Sequence, residues 1–268
     1  YLAAEGCCKD IYILNHSYSK NLINQIQKKY KINAIINNLE NLENKNLKSI
    51  NVVKFKKNFI KNKLKNNILF TSGTSDIPKG VIINENAYIH VARFLIKELL
   101  QKKDDLELLS MPFNHSFGLT RLRCVLLSGS SALITDGLKK FPEIYHFSKN
   151  FKITGLSLVP SGVEIIKNLL KNKVTNFSNN LRYFEIGSSV ITHQTRLWLK
   201  KNFKKTNIIH HYGTTEASPR VSYLPWKYLI SKTNSIGIPI KECKIFIVNE
   251  KGNKIKEFNK VGEICIKG

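Results

Sequence analysis

The amino-acid sequence predicts an α/β protein: a mainly parallel sheet with flanking helices, followed by the start of an antiparallel β subdomain. Two observations carry that fold class. From Asn67 onward, short apolar runs suited to strands alternate with longer stretches of helical periodicity, the rhythm of a parallel sheet with crossover helices. After about Ser235 the helical periodicity gives way to strands and tight turns. These changes divide the chain into an incomplete N-terminal α/β portion (1–66), an α/β core (67–234) and the start of a β-rich subdomain (235–268).

Taken in order, the segment up to about Lys65 is the least patterned. Leu22, Ile23, Ile26 and Tyr30 share a helical face, and Ala34-Ile35-Ile36 fits a short buried strand. Asn37 to Ser49 is polar and reads as an exposed loop. Ile68-Leu69-Phe70 reads as a buried strand running into a glycine-containing loop. A helix is expected over Asn84 to Gln101, with Asn84 as N-cap and Tyr88, Ala92, Leu95, Ile96 and Leu99 as its apolar stripe. Leu106–Leu109 and Ala132–Ile134 are strand candidates around a helix near Leu119 to Leu127. Gly155 to Val159 is a strand stopped by Pro160, and a helix spans Val163 to Leu170. Leu181 to Ile186 is a strand ending in the turn Gly187-Ser188-Ser189, before a helix at Thr192 to Phe203. Asn207 to His210 then runs into Tyr212-Gly213. Cys243 to Val248, the turn Lys251-Gly252-Asn253 and Gly262 to Ile266 pattern as antiparallel β-structure.

Composition excludes some function classes. The 268 residues carry 42% apolar side chains, enough for a core, and no apolar run reaches the length of a membrane span. The five cysteines, Cys7, Cys8, Cys124, Cys243 and Cys265, have neither metal-ligand nor disulfide-framework spacing, which suggests a reducing cytoplasm. The formal charge is +24. The lysines are spread along the chain and accompany abundant Asn and Ile, so biased base composition accounts for them better than a nucleic-acid partner. The densest run, Lys54 to Lys65, reads as an amphipathic helix or a solvated connector. No RNA-binding aromatic signature or zinc-finger spacing goes with the charge, and no specific nucleic acid is expected. The excess still favours collecting anions.

Thr71 to Gly80 (TSGTSDIPKG) is the strongest local signal. Thr71, Ser72, Thr74 and Ser75 supply hydroxyls, Gly73 and Gly80 supply approachable backbone, and Lys79 supplies a cation, the groups a polyphosphate needs. A Walker A loop does not fit, because Pro78 stands where its second glycine belongs. Read alone, His115 is a structural loop histidine, Gly187-Ser188-Ser189 an ordinary strand-to-helix turn, and Glu216 an exposed strand-end glutamate.

Together with Met111-Pro112-Phe113-Asn114-His115-Ser116-Phe117-Gly118-Leu119, Gly187-Ser188-Ser189-Val190, Tyr212-Gly213-Thr214-Thr215-Glu216 and Gly262-Glu263-Ile264-Cys265-Ile266-Lys267-Gly268, this loop resembles the adenylate-forming superfamily. Its members include acyl-CoA synthetases, aryl-CoA ligases, peptide-synthetase adenylation domains and luciferases. The five segments occur in the family's order over roughly Asn67 to Gly268. The loop departs from T-S-G-[ST]-T-G-x-P-K-G at Ser75 and Asp76, the latter placing a negative charge near a polyphosphate. The resemblance implies that residues 67–234 are a nucleotide-binding core and that the chain is part of a large N-terminal domain. It implies that Lys79 contacts the β- and γ-phosphates, while Thr71, Ser72, Gly73, Thr74 and Ser75 hold the leaving pyrophosphate. Gly187, Ser188 and Ser189 would pack against adenine, Tyr212 would stack on it, Thr215 would bond the α-phosphate and Glu216 would bind Mg²⁺. His115, Phe117, Gly118, Gly213 and Thr214 would shape the acyl pocket. Lys79, Thr215 and Glu216 are thus the expected catalytic residues.

The activity implied is ATP-dependent conversion of a carboxylic acid to an acyl-adenylate, then transfer to a thiol of CoA or of a carrier protein's phosphopantetheine. Asn114 and His115 offer no carboxylate for a substrate amino group, so a simple carboxylic acid is expected in preference to an amino acid. The resemblance also implies segments not found here: a T-G-D aspartate for the ribose, a hinge, and a small C-terminal domain with an assisting lysine. We therefore expect a fragment of a longer protein that alone binds nucleotide weakly and turns over poorly. A non-catalytic nucleotide-binding or interaction module is the alternative, motivated by Asp76 and those missing segments.

Overall fold

The computed structural model describes residues 10–15, 17–32, 52–54, 66–71, 77–138, 141–142, 145, 148, 151–171 and 174–268, without the side chains of 10, 11, 52–54, 175 and 176. The strand expected at 34–36, the loop at 37–49, most of the basic run at 54–65 and phosphate-loop residues 72–76 lie outside them.

A small sheet opens the fold. Strand β1 (Asp10–Ile13) runs parallel to β3 (Asn66–Thr71), and β3 pairs antiparallel with β4 (Lys79–Asn84). Between β1 and β3 come helix α1 (Lys20–Tyr30) and the short strand β2 (Val52–Lys54). Ser19 caps α1 by accepting from the Leu22 N–H, and Lys31 ends it in the left-handed region at φ 51°. The helix buries Ile26 against Ile68 and Phe70 of β3. Strand β4 is a departure from expectation. Lys79 and Gly80 were placed in a loop, but they begin a strand, because Val81-Ile82-Ile83 is β-branched and pairs along β3.

The main sheet has eight strands. Helix α2 (Glu85–Glu98) follows β4 directly, with Asn84 as N-cap accepting from the Asn86 N–H and Tyr88, Ala92 and Leu95 buried. Then come β5 (Leu106–Leu109), α3 (Ser116–Ser128), β6 (Ser131–Ile134), β7 (Gly155–Leu158), α4 (Pro160–Leu170), α5 (Val174–Ser178), β8 (Tyr183–Gly187), α6 (His193–Asn202), β9 (Asn207–Tyr212), β10 (Ser222–Pro225) and β11 (Ile238–Pro239). The spatial order is β11-β10-β9-β8-β7-β5-β6-β2. The inner pairs β6/β5, β5/β7, β7/β8 and β8/β9 are parallel, while β2, β10 and β11 join antiparallel. Strand β11 therefore belongs to this sheet although it lies beyond 235. The separate antiparallel sheet is β12 (Lys244–Val248), β13 (Lys254–Ile255) and β14 (Glu263–Lys267), in the order β13-β12-β14. Pro160 opens α4 at its first turn, where its missing N–H costs nothing. Among the described residues no helix is long and apolar enough to cross a membrane.

The two faces of the main sheet differ in kind. One packs Leu156, Leu158, Phe184, Ile186 and Ile208 against α4 and α6, an ordinary apolar layer. The other faces α3 and carries Glu107, Ser157, Tyr183, Glu185 and His211 at alternate strand positions, all buried. Arg121 of α3 answers them. It donates from Nε to Glu107 Oε1 at 2.7 Å and from Nη2 to Glu107 Oε2 at 2.5 Å, and its Nη1 lies 3.5 Å from Glu185 Oε2. Ser157 and Tyr183 also donate to Glu107. A second buried set joins Arg123 to Glu85 and Asn67, tying α3 to α2 and β3.

Arg121→Met would leave Glu107 without its counter-ion, with Arg121 and Glu107 both fully buried. Removing one partner of such a pair costs about 3–5 kcal/mol. Urea unfolding should show a loss of that size, and a loss under about 1 kcal/mol would mean that the network is not coupled to folding.

Candidate functional site

Four of the five singled-out segments converge at one end of the main sheet. Thr71 and Lys79 face each other across the β3/β4 pair, so Lys79 stands where the chain re-enters the hairpin, and it is exposed. Strand β4 packs beside the 3₁₀ turn Thr215–Ala217. Tyr30 fixes the hairpin base: its hydroxyl accepts from the Gly80 N–H at 2.8 Å and donates to the Pro78 carbonyl at 3.1 Å. Ser72, Gly73, Thr74, Ser75 and Asp76 lie outside the described residues.

The segment before α3 arrives from another side. His115 is the N-cap residue of α3 but makes no capping side-chain bond, and it is exposed. Phe117 and Gly118, in the first turn, are buried. The Phe117 ring meets the His211 ring edge-on at 4.7 Å, and the Arg220 guanidinium lies over it at 4.5 Å. Ser116 Oγ lies 3.1 Å from Thr215 Oγ1, joining the start of α3 to the β9 end segment.

The ends of β8 and β9 complete the site. Gly187 pairs with His211, and a side chain at Gly187 would run into the His211 imidazole. The glycine is therefore required by a neighbouring ring, whereas Ser188 and Ser189 are exposed. Ser188 takes φ 85°, a costly conformation for a residue with a side chain, of the kind that collects at functional sites. Gly213 is under a similar constraint, because any side chain there would strike the Pro219 carbonyl. A cavity of about 320 Å³ opens between these strand ends, lined by Ser188, Ser189, His210, Tyr212 and Gly213 and backed by Thr233–Ile236. Arg196 fixes the back wall by donating to the Ile191, Leu229 and Thr233 carbonyls. His115, Phe117 and Gly118 do not line this cavity. Thr215 is half-buried, and Thr214 and Glu216 are exposed.

Electrostatics separate a neutral rim from a charged floor. Burial pushes His210 down to about 4, even though the Ser189 carbonyl it touches at 2.9 Å favours its charged form. Burial and then Arg220 push His211 down as well. His211 Nδ1 lies 2.9 Å from Glu185 Oε1 but off the line of a well-formed hydrogen bond, so the contact is a neutral imidazole against a carboxylate. Burial would raise the Glu185 carboxyl, yet Arg220, His211 and Arg121 together hold it well below the ordinary carboxylate range. Among the described residues no three His, Cys, Asp or Glu side chains gather as a metal site. The exposed carboxylate of Glu216 is of the kind that Mg²⁺ takes, one or two at a time, with phosphate oxygens and water filling its shell.

Arg220, Glu185, His211 and Tyr30 went unnoticed in the sequence. Of these, Glu185 had a signal, inside the apolar run YFEIG, as did its neighbours Glu107 inside LELL and Arg121 and Arg123 inside the apolar helix GLTRLRCVLL: charges placed where burial is expected. Tyr30, by contrast, reads as part of an apolar stripe.

A family model described as AMP-binding enzyme matches residues 11–268. A 2-succinylbenzoate–CoA ligase of Bacillus cytotoxicus is 29% identical over 203 residues, covering 75% of this chain and 40% of that protein. A D-alanine–D-alanyl carrier protein ligase of the same organism is 25% identical over 210 residues, covering 75% of this chain and 40% of that protein. Among solved structures, O-succinylbenzoate coenzyme A synthetase of Bacillus subtilis in complex with ATP and magnesium ion superposes with a TM-score of 0.66. Sequence identity is 22%, over 75% of this chain and 41% of that one, a likeness of fold. The chain thus spans about two fifths of each relative's length.

Stability should depend on His210 and His211 below neutrality. Both have folded pKa values below the ordinary 6.5, so the unfolded chain binds more protons and stability is complete only above about pH 6.5. It should fall as pH drops toward about 4, the His210 value. Urea unfolding from pH 7.5 to 4.5 should show this slope, and His210→Gln should reduce it; an unchanged slope would mean that His210 titrates normally.

Proposed function

We propose, starting from the fact that this chain belongs to the AMP-binding enzyme family, that its site activates a carboxylic acid with ATP for transfer to a thiol. The observation that carries this reading is the meeting of four segments at one sheet end. The Ser116–Thr215 hydroxyl contact, the His210–Ser189 contact and the packing of β4 on the Thr215 turn hold them together.

Each residue then has a role suited to its chemistry. The cavity beside Tyr212 takes the adenine, with the ring of Tyr212 as its apolar face and the Ser188–Ser189 backbone on the other side. Lys79 and the donors of Thr71, Ser72, Gly73, Thr74 and Ser75 receive the β- and γ-phosphates. Thr215 orients the α-phosphate. Glu216 would hold Mg²⁺, which when bound would supply positive charge against the triphosphate. The carboxylate oxygen attacks the α-phosphorus, the bond to pyrophosphate breaks, and an acyl-adenylate remains. Sulfur of a thiol then attacks the acyl carbon, AMP leaves and the thiol proton passes to solvent. The rate comes from positioning and charge compensation, the latter worth most in a partly dry site. The neutral His210 and His211 shape that site without adding charge.

The relatives named above are a CoA ligase and a carrier-protein ligase, so CoA and a carrier-protein phosphopantetheine are the two candidate acceptors. The absence of a carboxylate at Asn114 and His115 favours a simple acid over an amino acid. The cluster of Thr, Ser and Lys at the hairpin supports ATP over a nucleic-acid partner.

Acid-dependent ATP–pyrophosphate exchange by the full-length protein carrying this chain is the test. Lys79→Met, Thr215→Ala and Glu216→Gln should each lower exchange by about 10²-fold with little change in melting temperature, since Lys79 and Glu216 are exposed and Thr215 is half-buried. No exchange with any of a broad acid panel would sink the enzyme reading. Nucleotide binding without exchange would instead support the non-catalytic module that Asp76 suggests.

A further inference from the structure

We propose that Arg220 reads a second oxygen function on the acid, so that the substrate carries an acceptor oxygen remote from the carboxylate being activated. This rests on the acid-activating reading above and names the substrate class of the same site.

Arg220 is 1% exposed, and only one of its side-chain nitrogens is hydrogen-bonded to the described residues. Nε donates to Glu185 Oε1 at 2.9 Å. Nη1 and Nη2 are both buried without a hydrogen-bond partner among the described residues. A guanidinium present only to neutralise Glu185 would turn its forked end to the carboxylate, where two parallel N–H bonds form. Here Glu185 is met through Nε, with Arg121 and His211 also beside it, and the fork makes no hydrogen bond to its other oxygen. Two buried donors unmet by protein are the arrangement that a ligand's acceptor oxygens complete. The nearby Tyr88 hydroxyl, within electrostatic reach of the same guanidinium, is likewise buried and unpartnered.

The fork stands in a suitable place. The guanidinium lies 4.5 Å above the Phe117 ring, in the first turn of α3. One residue earlier, Ser116 touches Thr215, the residue assigned to the reacting phosphate. Arg220 follows Thr215 along one short segment, so the same stretch of chain contacts the start of α3 at both Ser116 and Phe117. An acid whose activated carboxylate sits near Thr215 and whose body runs along α3 would present its far end to Arg220. A carboxylate there would engage both Nη donors, and a hydroxyl or oxo group would engage one.

The test uses the full-length protein and exchange with matched acids of four to six carbons: the unsubstituted acid, its ω-hydroxy form and its dicarboxylic form (butanoate, 4-hydroxybutanoate and succinate, and their homologues). At the chain length that fits, kcat/KM for an oxygenated member should exceed that of the unsubstituted acid by about 10²-fold. A lead for the dicarboxylate identifies an anionic end, and a lead for the hydroxy acid a neutral one. Arg220→Met combined with Glu185→Gln removes both charges of the buried pair. It should bring the oxygenated acid down to the level of the unsubstituted one. Should the double variant not fold, Arg220→Lys keeps the charge and loses the fork, and should raise KM for the oxygenated acid alone by about tenfold. Equal kcat/KM across each matched set, or a preference that survives in the variants, overturns the proposal. Exchange with no acid at all overturns the acid-activating reading instead.

Discussion

Glu185 is ionised and wholly buried in the middle of a parallel sheet, and much of the site follows from the need to keep it so. A carboxylate deprived of water is tolerable only when cations and donors surround it. Arg121 reaches it from α3, Arg220 from the segment after Thr215, and His211 from the adjacent strand. Those three groups come from three parts of the chain, so satisfying one charge fixes α3, β9 and the Tyr212–Arg220 stretch against one another. The Phe117 ring, held between His211 and Arg220, is a by-product of the same arrangement. Replacing a buried ionic layer with well-packed apolar side chains is often neutral for stability. What the charges contribute is register: Glu185 has its cations beside it only when α3, β9 and the segment after Thr215 are in this relative placement.

The apolar face of the sheet imposes no such demand. Leu156, Phe184, Ile186 and Ile208 pack α4 and α6 by shape and volume alone. The sheet therefore has a conventional side that supplies core and a charged side that holds the functional segments. The smaller β1-β3-β4 sheet is joined to the charged side through Arg123, Glu85 and Asn67, and its hairpin base is held by Tyr30.

The sequence made the α/β rhythm plain because helical and strand periodicities depend on local spacing, and the strands from Leu106 to Tyr212 fall close to where that spacing puts them. It did not show the strand at Lys79–Asn84. The glycine and lysine at its start belong to a loop signature, and antiparallel pairing with β3 is a tertiary fact. Motif residues such as Tyr212 and Thr215 stood out because Tyr212 to Glu216 matches a family signature in its expected place along the chain. Arg220 did not, since a single Arg in a polar stretch is read as solvated until a fold closes over it; Glu185 showed only as a charge inside an apolar run. The spacing of Gly187 was visible, but its cause, the ring of a histidine on the neighbouring strand, needed the register of β8 against β9.

One of the hydroxyls of Ser116 and Thr215 donates to the other across 3.1 Å. A phosphate oxygen entering between them would exchange one hydrogen bond for another rather than create a bond from nothing, and such exchanges are nearly balanced in free energy. The pair thus acts as a latch already set to the right orientation, ready at little cost and reluctant to grip ordinary water. In the proposed role, affinity would come from the base and the triphosphate charge, which would leave this contact free to respond to the changing geometry at phosphorus.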